Sequence, residues 1–224
     1  MKNQDENMVT NLIVDKSRCL YLENRTAEVG YFYGYNISPD FLDTLLSNGF
    51  RRFGNLFFKN ICPECRSCLP IRVIVKDFSP TKSQRRCCRV NSDLVVRFKE
   101  LEYRDEIYDL YCEHSTFKFN KTPDAPDLFR QNFFCINNPG WQTEYYENGK
   151  LIGVGFIDRS INGLSSIYFI YSESAASRGL GNYSVMKEIE LASELNLSYY
   201  YLGYYIEENA HMNYKNKFKP YEFF

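Results

Sequence analysis

Between residues 163 and 206 the chain sets out, in order, an aromatic and β-branched run "GLSSIYFIYS", a glycine loop "SRGLGN", a helical stretch "YSVMKEIELASELN" and a second aromatic run "SYYYLGYYI". Val185, Ile189, Ala192 and Leu195 recur along one side of the third segment at helical spacing. The whole reads as a strand, a Gly loop, a helix and another strand. Loop amides at such a helix N-terminus can bind an anion, so the unit offers a binding position as well as a piece of core. Just before it, "WQTEYYENGKLIGVGFIDRSINGLSSIYFIYS" reads as a three-strand meander. Its turns fall at Asn148-Gly149 and Asn162-Gly163, dipeptides that tolerate the backbone of tight hairpins. "YRDEIYDLYCEHSTF" and "DAPDLFRQNFFCI" read as helices.

The first hundred residues have another pattern. "MKNQDENMVTNL" is polar and aperiodic, and residues 1–18 are expected to form a flexible terminus. "SPDFLDTLLSNG" has Ser38 as N-cap, Pro39 at N1, apolar Phe41, Leu42, Leu45 and Leu46, and an Asn48-Gly49 stop, which predicts a short amphipathic helix. "FRRFGNLFFK" predicts a hairpin on a Gly-Asn turn, and "LPIRVIVKDF" a strand. Between them, "ICPECRSCLP" carries Cys62, Cys65 and Cys68. Structural zinc takes four ligands, generally as two separated pairs, and the ferredoxin-type run needs a cysteine where Arg72 stands. A fourth ligand would have to be Cys19, Cys87, Cys88 or a distant histidine, so the segment is read as a tight turn of small buried thiols with no metal.

"SPTKSQRRCCRVN" predicts a helix with Ser79 as N-cap and Pro80 at N1. Lys82, Arg85, Arg86 and Arg89 then share an arc of roughly 100°. No acid occurs from residue 78 to residue 92, so nothing neutralises that face at i,i+4 and it is a candidate phosphate-binding surface. Lys and Arg total 27 against 28 Asp and Glu, a net charge of -1, so no global field draws the chain onto nucleic acid and any such contact must be local. Eight cysteines, no signal-like leader and no apolar run near eighteen residues predict free thiols, a reducing cytoplasmic setting and no membrane. The 19 Tyr and 18 Phe supply flat faces that pack a core or stack on bases.

The segments "FRRFGNLFFKNICPECRSCLPIRV", "SPTKSQRR", "GLSSIYFIYS", "LGNYSVMKEIELASEL" and "YYYLGYYIEENAHMNYKNKFKPYE", in that order and spacing, resemble the arginyl-tRNA-protein transferase family. The likeness is greatest to its bacterial branch, the aspartate/glutamate leucyltransferases, and runs from about Cys19 to the C-terminus. It implies an α/β (α+β) chain with a GNAT-like acyltransferase fold, a mixed sheet flanked by helices plus a smaller N-terminal α/β part. The expected division is a transferase domain over residues 19–100, with the Cys-rich turn and basic helix, and a GNAT-like domain over residues 101–224. The implied activity takes an aminoacyl-tRNA in place of acyl-CoA and moves the amino acid onto the N-terminal α-amine of proteins beginning with Asp or Glu, which creates a degradation signal. Leucine is favoured over arginine as donor, because Cys19 stands alone where eukaryotic arginyl members resemble a longer cysteine cluster on a longer chain. The tRNA ester is already activated, so no cofactor or covalent intermediate is required.

Candidate site residues follow from that likeness. The tRNA would meet Lys82, Gln84, Arg85, Arg86 and Arg89 of the basic segment and Gly181 of the loop. An acidic acceptor needs a cation, most selectively a bidentate arginine, from among Arg72, Arg85 and Arg178. In this fold class the donor lies between the strand before the Gly loop and the strand after its helix. That places Tyr168 and Tyr171 on one side and Tyr204 and Tyr205 on the other, with hydroxyls able to bond the amine, the aminoacyl group or the ribose. Asp158 or Glu207 could orient or relay a proton, and Lys215 in "MNYK" matches a family position with an expected RNA contact. The proposed catalytic set is Asp158, Tyr168, Tyr204 and Tyr205. Two rivals remain: an ordinary GNAT acetyltransferase, opposed by Ala176 where a Gln or Arg is expected before Gly179, and a metal-stabilised RNA-binding module.

Overall fold

A computed structural model describes residues 7–135 and 137–224. The elements run β1 (Met8–Val9), β2 (Ile13–Arg18), β3 (Thr26–Tyr35), α1 (Pro39–Ser47), β4 (Arg51–Phe53), β5 (Leu56–Asn60), β6 (Leu69–Ile74), α2 (Lys82–Val90) and β7 (Val95–Glu100). There follow α3 (Asp105–Phe119), α4 (Pro126–Phe133), β8 (Gly140–Glu147), β9 (Lys150–Arg159), β10 (Gly163–Tyr171), α5 (Leu180–Glu194), β11 (Tyr199–Tyr205) and β12 (Tyr221–Phe223). The smaller sheet is ordered β1-β3-β5-β4 with β2 also on β3, and the larger is ordered β12-β6-β11-β10-β9-β8-β7. Within the larger sheet only β10 and β11 run parallel, joined by the Gly loop and α5. This mixed sheet with its strand, Gly loop, helix and strand is the GNAT-like arrangement expected from the sequence.

Local chemistry accounts for most of the elements. Ser38 caps α1 by accepting from Phe41 N at 3.2 Å. Asn148 and Gly149 adopt φ 50° and 83°, the left-handed pair that a two-residue hairpin requires, and so turn β8 into β9. The next turn is held differently, by Asp43, which accepts from Ser160 Oγ at 2.6 Å and from Asn162 N and Nδ2 at 3.2 and 3.0 Å. The start of α2 departs from the expected Ser79 cap. Thr81 is the N-cap, accepting from Gln84 N at 3.3 Å while Gln84 Oε1 accepts from Thr81 N at 2.8 Å. That reciprocal box satisfies two backbone donors, which a serine two residues earlier cannot do.

Apolar side chains cover both faces of the large sheet. On one, Val185, Met186, Ile189 and Ala192 of α5 pack on Ile71, Val73, Leu164, Tyr200 and Leu202. On the other, Ile107, Leu110, Phe129 and Phe133 of α3 and α4 pack on Val154, Phe156 and Ile170. Each of the Val, Leu, Ile, Phe and Met side chains among them contributes about 1.5–3 kcal/mol by leaving water. The smaller sheet and α1 have their own cluster, Phe32, Leu42, Leu46 and Phe57, which reaches the large sheet through Tyr201. The larger sheet is continuous across residue 100, since β6 and β7 lie in it. A division there follows the change of pattern along the chain rather than an edge of the sheet. Residues 1–6 of the expected flexible terminus lie outside the described residues, whereas 8–9 and 13–18 pair with β3 as exposed strands.

Candidate active site

The parallel pairing of β10 with β11 is short. Gly163, Leu164 and Ser165 stand opposite Tyr199, Tyr200 and Tyr201, and the ladder ends there. Irregularities between Ser166 and Tyr168 in β10, and between Tyr201 and Gly203 in β11, mark where the strands part. An unpaired strand edge keeps backbone donors and acceptors open to a ligand, which makes this fork the natural seat for an acyl donor. Arg51, from the strand after α1, reaches into it and donates to Ser165 Oγ at 2.8 Å and to Ser166 O. Gly203 has φ 88°, and a Cβ added there would stand 3.2 Å from Arg51 Nε. Glycine is needed at that position for the backbone and for the guanidinium beside it.

Beside the same end of β11, Lys215 is buried and donates to Tyr204 O at 2.7 Å. Burial, reinforced by the charge of Arg51, pulls its ammonium down to about 7. Near neutral pH it therefore exists in both the donor and the acceptor form. The expected RNA contact is not available to a lysine held in this way. Nearby, the buried Glu188 carboxyl accepts from Tyr200 Oη and, at 3.5 Å, from Thr143 Oγ1. Burial pushes it up to about 8 against the opposing effect of those bonds. Gly155 makes the room, since a Cβ there would lie 2.4 Å from Thr143 Oγ1 and 2.9 Å from Glu188 Oε1.

Glu188 sets a pH dependence whose sign is fixed. Between its ordinary value of 4.5 and about 8, the folded protein holds a proton that the unfolded chain has released. Stability attributable to this group is therefore complete below 4.5 and is lost as pH rises through about 8, by on the order of 5 kcal/mol at 1.4 kcal/mol per pH unit. Glu188→Gln should flatten that fall when urea denaturation is compared at pH 5 and pH 8. An unchanged slope would show that the carboxyl ionises freely in the fold.

The sequence-derived residues separate into groups. Lys82, Arg85, Arg86 and Arg89 do share an exposed face of α2. Beside them opens a cleft of about 530 Å³ whose lining includes Ser83, Asn182, Lys217 and Lys219, so basic side chains continue toward the first turn of α5. Gly181 faces open space there. Gln84 belongs to the capping box and donates from Nε2 to Lys217 O at 3.1 Å, which makes it a structural tie. Of the arginines, Arg178 is held by Asp93 at 2.9 and 3.1 Å and by Glu147. Arg72 is held by Glu222 at 2.6 Å and lies over the Tyr199 ring at 3.6 Å.

The expected catalytic groups also have partners. Asp158 is wholly buried, with both carboxylate oxygens on the Arg52 guanidinium. Tyr204 donates to Gly49 O at 2.9 Å and accepts from Asn60 N at 3.2 Å, so its hydroxyl ties β11 to the smaller sheet, and burial pushes it up to about 12. Tyr205 accepts from Asn216 Nδ2 at 3.3 Å and packs on Phe223. Tyr168 packs against Phe133 at 5.4 Å and is likewise pushed up to about 12 by burial. Tyr171 lies against His114, 4.6 Å between centroids. Glu207 is exposed beyond the end of β11.

Reading the sequence alone missed Arg51, Arg52 and Glu188. The signal was present for the first two: adjacent arginines between Phe50 and Phe53 on a strand must point to opposite faces, so at least one is drawn inward. A glutamate inside the apolar side of α5 was the signal for the third. Around the cysteine turn, Cys62 Sγ accepts from Glu28 N at 3.3 Å, Cys65 Sγ accepts from Arg25 Nη1 at 3.4 Å and Cys19 Sγ accepts from Leu22 N at 3.4 Å. Burial, then the neighbouring Cys19, Cys62 and Cys65, pushes the Cys68 thiol up to about 11. Among the described residues no three His, Cys, Asp or Glu side chains are arranged to hold a metal ion.

Comparison with known proteins adds a second line. The family model described as arginine-tRNA-protein transferase, C terminus, matches residues 106–224, and that described as arginine-tRNA-protein transferase, N terminus, matches residues 17–86. A Helicobacter hepaticus protein named aspartate/glutamate leucyltransferase is 30% identical over 93% of this chain and 89% of its own. One of the same name from Saccharophagus degradans is 35% identical over 92% and 89%. Among solved structures, the C-terminal domain of a putative lysylphosphatidylglycerol synthetase from Agrobacterium fabrum superposes with a TM-score of 0.53 at 13% identity, over 84% of this chain and 64% of that one, which is a likeness of fold.

Proposed function

Because this chain belongs to the arginine-tRNA-protein transferase family, we propose that it transfers leucine from leucyl-tRNA to the N-terminal α-amine of proteins beginning with Asp or Glu. The observation that carries the reading is the match, over nearly the whole of both chains, to relatives named aspartate/glutamate leucyltransferase. The fork between β10 and β11 fits an acyl donor, and the exposed face of α2 fits the phosphates that come with it. The work belongs with charged tRNA in the cytoplasm. Among the described residues no helix is long and apolar enough to cross a membrane.

The chemistry is an aminolysis. The acceptor amine, as free base, forms a C–N bond to the ester carbonyl, the C–O bond to the terminal ribose breaks, and the ribose oxygen leaves with the electron pair and a proton. Lys215, with its ammonium near neutrality, is the group in this site suited to take the amine proton and return it to that oxygen. The donor needs only to be held with its carbonyl at the end of β11, where Lys215 meets Tyr204 O.

Arginine as donor is the second reading, favoured by the description of the family models themselves. One experiment separates the two: labelled Leu-tRNA and Arg-tRNA supplied side by side with peptides beginning with Asp. Label should enter the peptide from leucine, and absence of product from Leu-tRNA sinks the proposal. The basic face has its own test. Arg85→Glu with Arg86→Glu should weaken tRNA binding and flatten its log–log salt slope by about 1.5–2. An unchanged slope would return that face to the role of a solvated surface.

A further inference from the structure

Among the buried and half-buried arginines described, Arg51 and Arg159 have no carboxylate partner, and Arg159 lies over the Trp141 ring at 4.8 Å. Arg52 is neutralised by Asp158, Arg72 by Glu222, Arg104 by Glu144, and Arg178 by Asp93 and Glu147. Among the described residues no carboxylate lies within ion-pair distance of Arg51, whose partners are a hydroxyl and a backbone carbonyl. The carboxylate that acts on it through space, Asp158, is already bound to Arg52. Arg51 is half-buried, and the ladder between β10 and β11 ends beside it at Ser165. The buried amine of Lys215 sits on the neighbouring residue of β11: Arg51 lies beside Gly203, and Lys215 binds the carbonyl of Tyr204. A charge withdrawn from water without a counter-charge is costly; the Lys215 amine escapes the cost by releasing its proton near pH 7, whereas the Arg51 guanidinium stays charged and needs a bound anion.

Tyr204 also lines a cleft of about 240 Å³ together with Lys59, Asn60 and Arg66, and no carboxylate contributes to that lining. On that side of Tyr204, Asn60 Nδ2 is a buried donor without an acceptor among the described residues.

We propose that Arg51 is the specificity-determining residue for the acceptor: its guanidinium binds the side-chain carboxylate of the N-terminal Asp or Glu. This rests on the transfer reading given above. In an N-terminal Asp, the carboxylate and the α-amine are separated by only a few bonds. A cation at Gly203 and a proton acceptor at Tyr204 therefore match the two ends of one residue. The guanidinium keeps its bonds to Ser165 and Ser166 as the orienting contacts and offers its remaining N–H edge to the ligand. A neutral Asn at the same place presents an NH₂ group to a row of donors, so it is rejected as well as less well bound.

The test uses the full-length protein, Leu-tRNA and peptides identical except for an N-terminal Asp or Asn. Arg51→Gln should lower the Asp-over-Asn ratio of kcat/KM by about 100-fold, chiefly through the peptide KM. Arg51→Lys, which keeps the charge but loses the fork, should lower the ratio by about tenfold. A ratio unchanged in Arg51→Gln, with both rates reduced alike, would make Arg51 a structural clamp and overturn the proposal. Weaker Leu-tRNA binding with the ratio intact would assign the anion to a tRNA phosphate and overturn it equally. Should the variants fail to fold, phenylglyoxal labelling of the wild-type protein decides: the Asp peptide should protect Arg51 and the Asn peptide should not, and equal labelling overturns the proposal. Wild-type protein that transfers nothing to the Asp peptide would instead defeat the transfer reading itself.

Discussion

Lys215→Met is expected to lower kcat for leucine transfer by about 10²–10⁴-fold at pH 8, the range for loss of a positioned acid–base group, while leaving tRNA affinity unchanged. The reason is placement. The amine is buried on Tyr204 O and brought down to about 7, so it can accept a proton that an exposed lysine would not take. Wild-type kcat should therefore rise with pH through about 7, as Lys215 becomes neutral, and the variant should lose that limb. Lys215→Arg should not rescue it, because a guanidinium stays protonated throughout. Stability moves the other way. With an unfolded value of 10.5 and a folded value of about 7, Lys215 costs the fold most below pH 7, and the cost is relieved as pH rises toward 10.5. The methionine variant should be at least as stable as wild type at pH 6, so inactivity could not be ascribed to unfolding. A variant that kept the wild-type rate and pH profile would remove Lys215 from the chemistry.

The largest expected loss of stability comes from the Arg52 and Asp158 pair. Asp158→Asn should destabilise the protein by about 3–5 kcal/mol in urea denaturation, because it leaves a buried guanidinium uncompensated. Arg52→Met should cost a similar amount from the other side. Changing both, Arg52→Met with Asp158→Leu, should recover most of the loss, since a buried pair is costly mainly when half of it remains. The pair joins the β4 hairpin to β9, and Arg52 also donates to Gly54 O within the hairpin turn. Its loss should loosen the smaller sheet from the larger one, and with it the strand that carries Arg51. Losses below about 1 kcal/mol in both single variants would mean that water reaches the pair.

The contrast between the two arginines of "FRRFG" shows where reading along the chain stops. Alternation on a strand tells that Arg51 and Arg52 point to opposite sides, but not what either side contains. One finds Asp158, 106 residues away, and the other finds Ser165, 114 residues away. The tyrosines illustrate the same limit. The β10–α5–β11 order placed Tyr168, Tyr204 and Tyr205 on strands at a donor cleft, yet a hydroxyl's availability depends on what it meets. Tyr204 meets Gly49 O and Asn60 N, and Tyr168 meets an aromatic cluster. Gln84 was drawn into the basic segment by its neighbours and was instead committed to the helix cap by the spacing Thr81-x-x-Gln84.

What the sequence determined by itself is what local physics decides. Period and turn chemistry specified the meander, α1, α3, α4 and the strand, loop, helix and strand that place the candidate site. The helical angle put Lys82, Arg85, Arg86 and Arg89 on one face. The family followed from motifs in order. What only the tertiary structure decided is which charges are cancelled. Arg72 and Arg178 are paired with Glu222, Asp93 and Glu147, while Arg51 and Lys215, far apart in the chain, meet at the end of β11 with no carboxylate among the described residues bound to either. An electrostatic partner is set by distance through space, and a linear sequence carries no such distances until the sheet has brought its strands together.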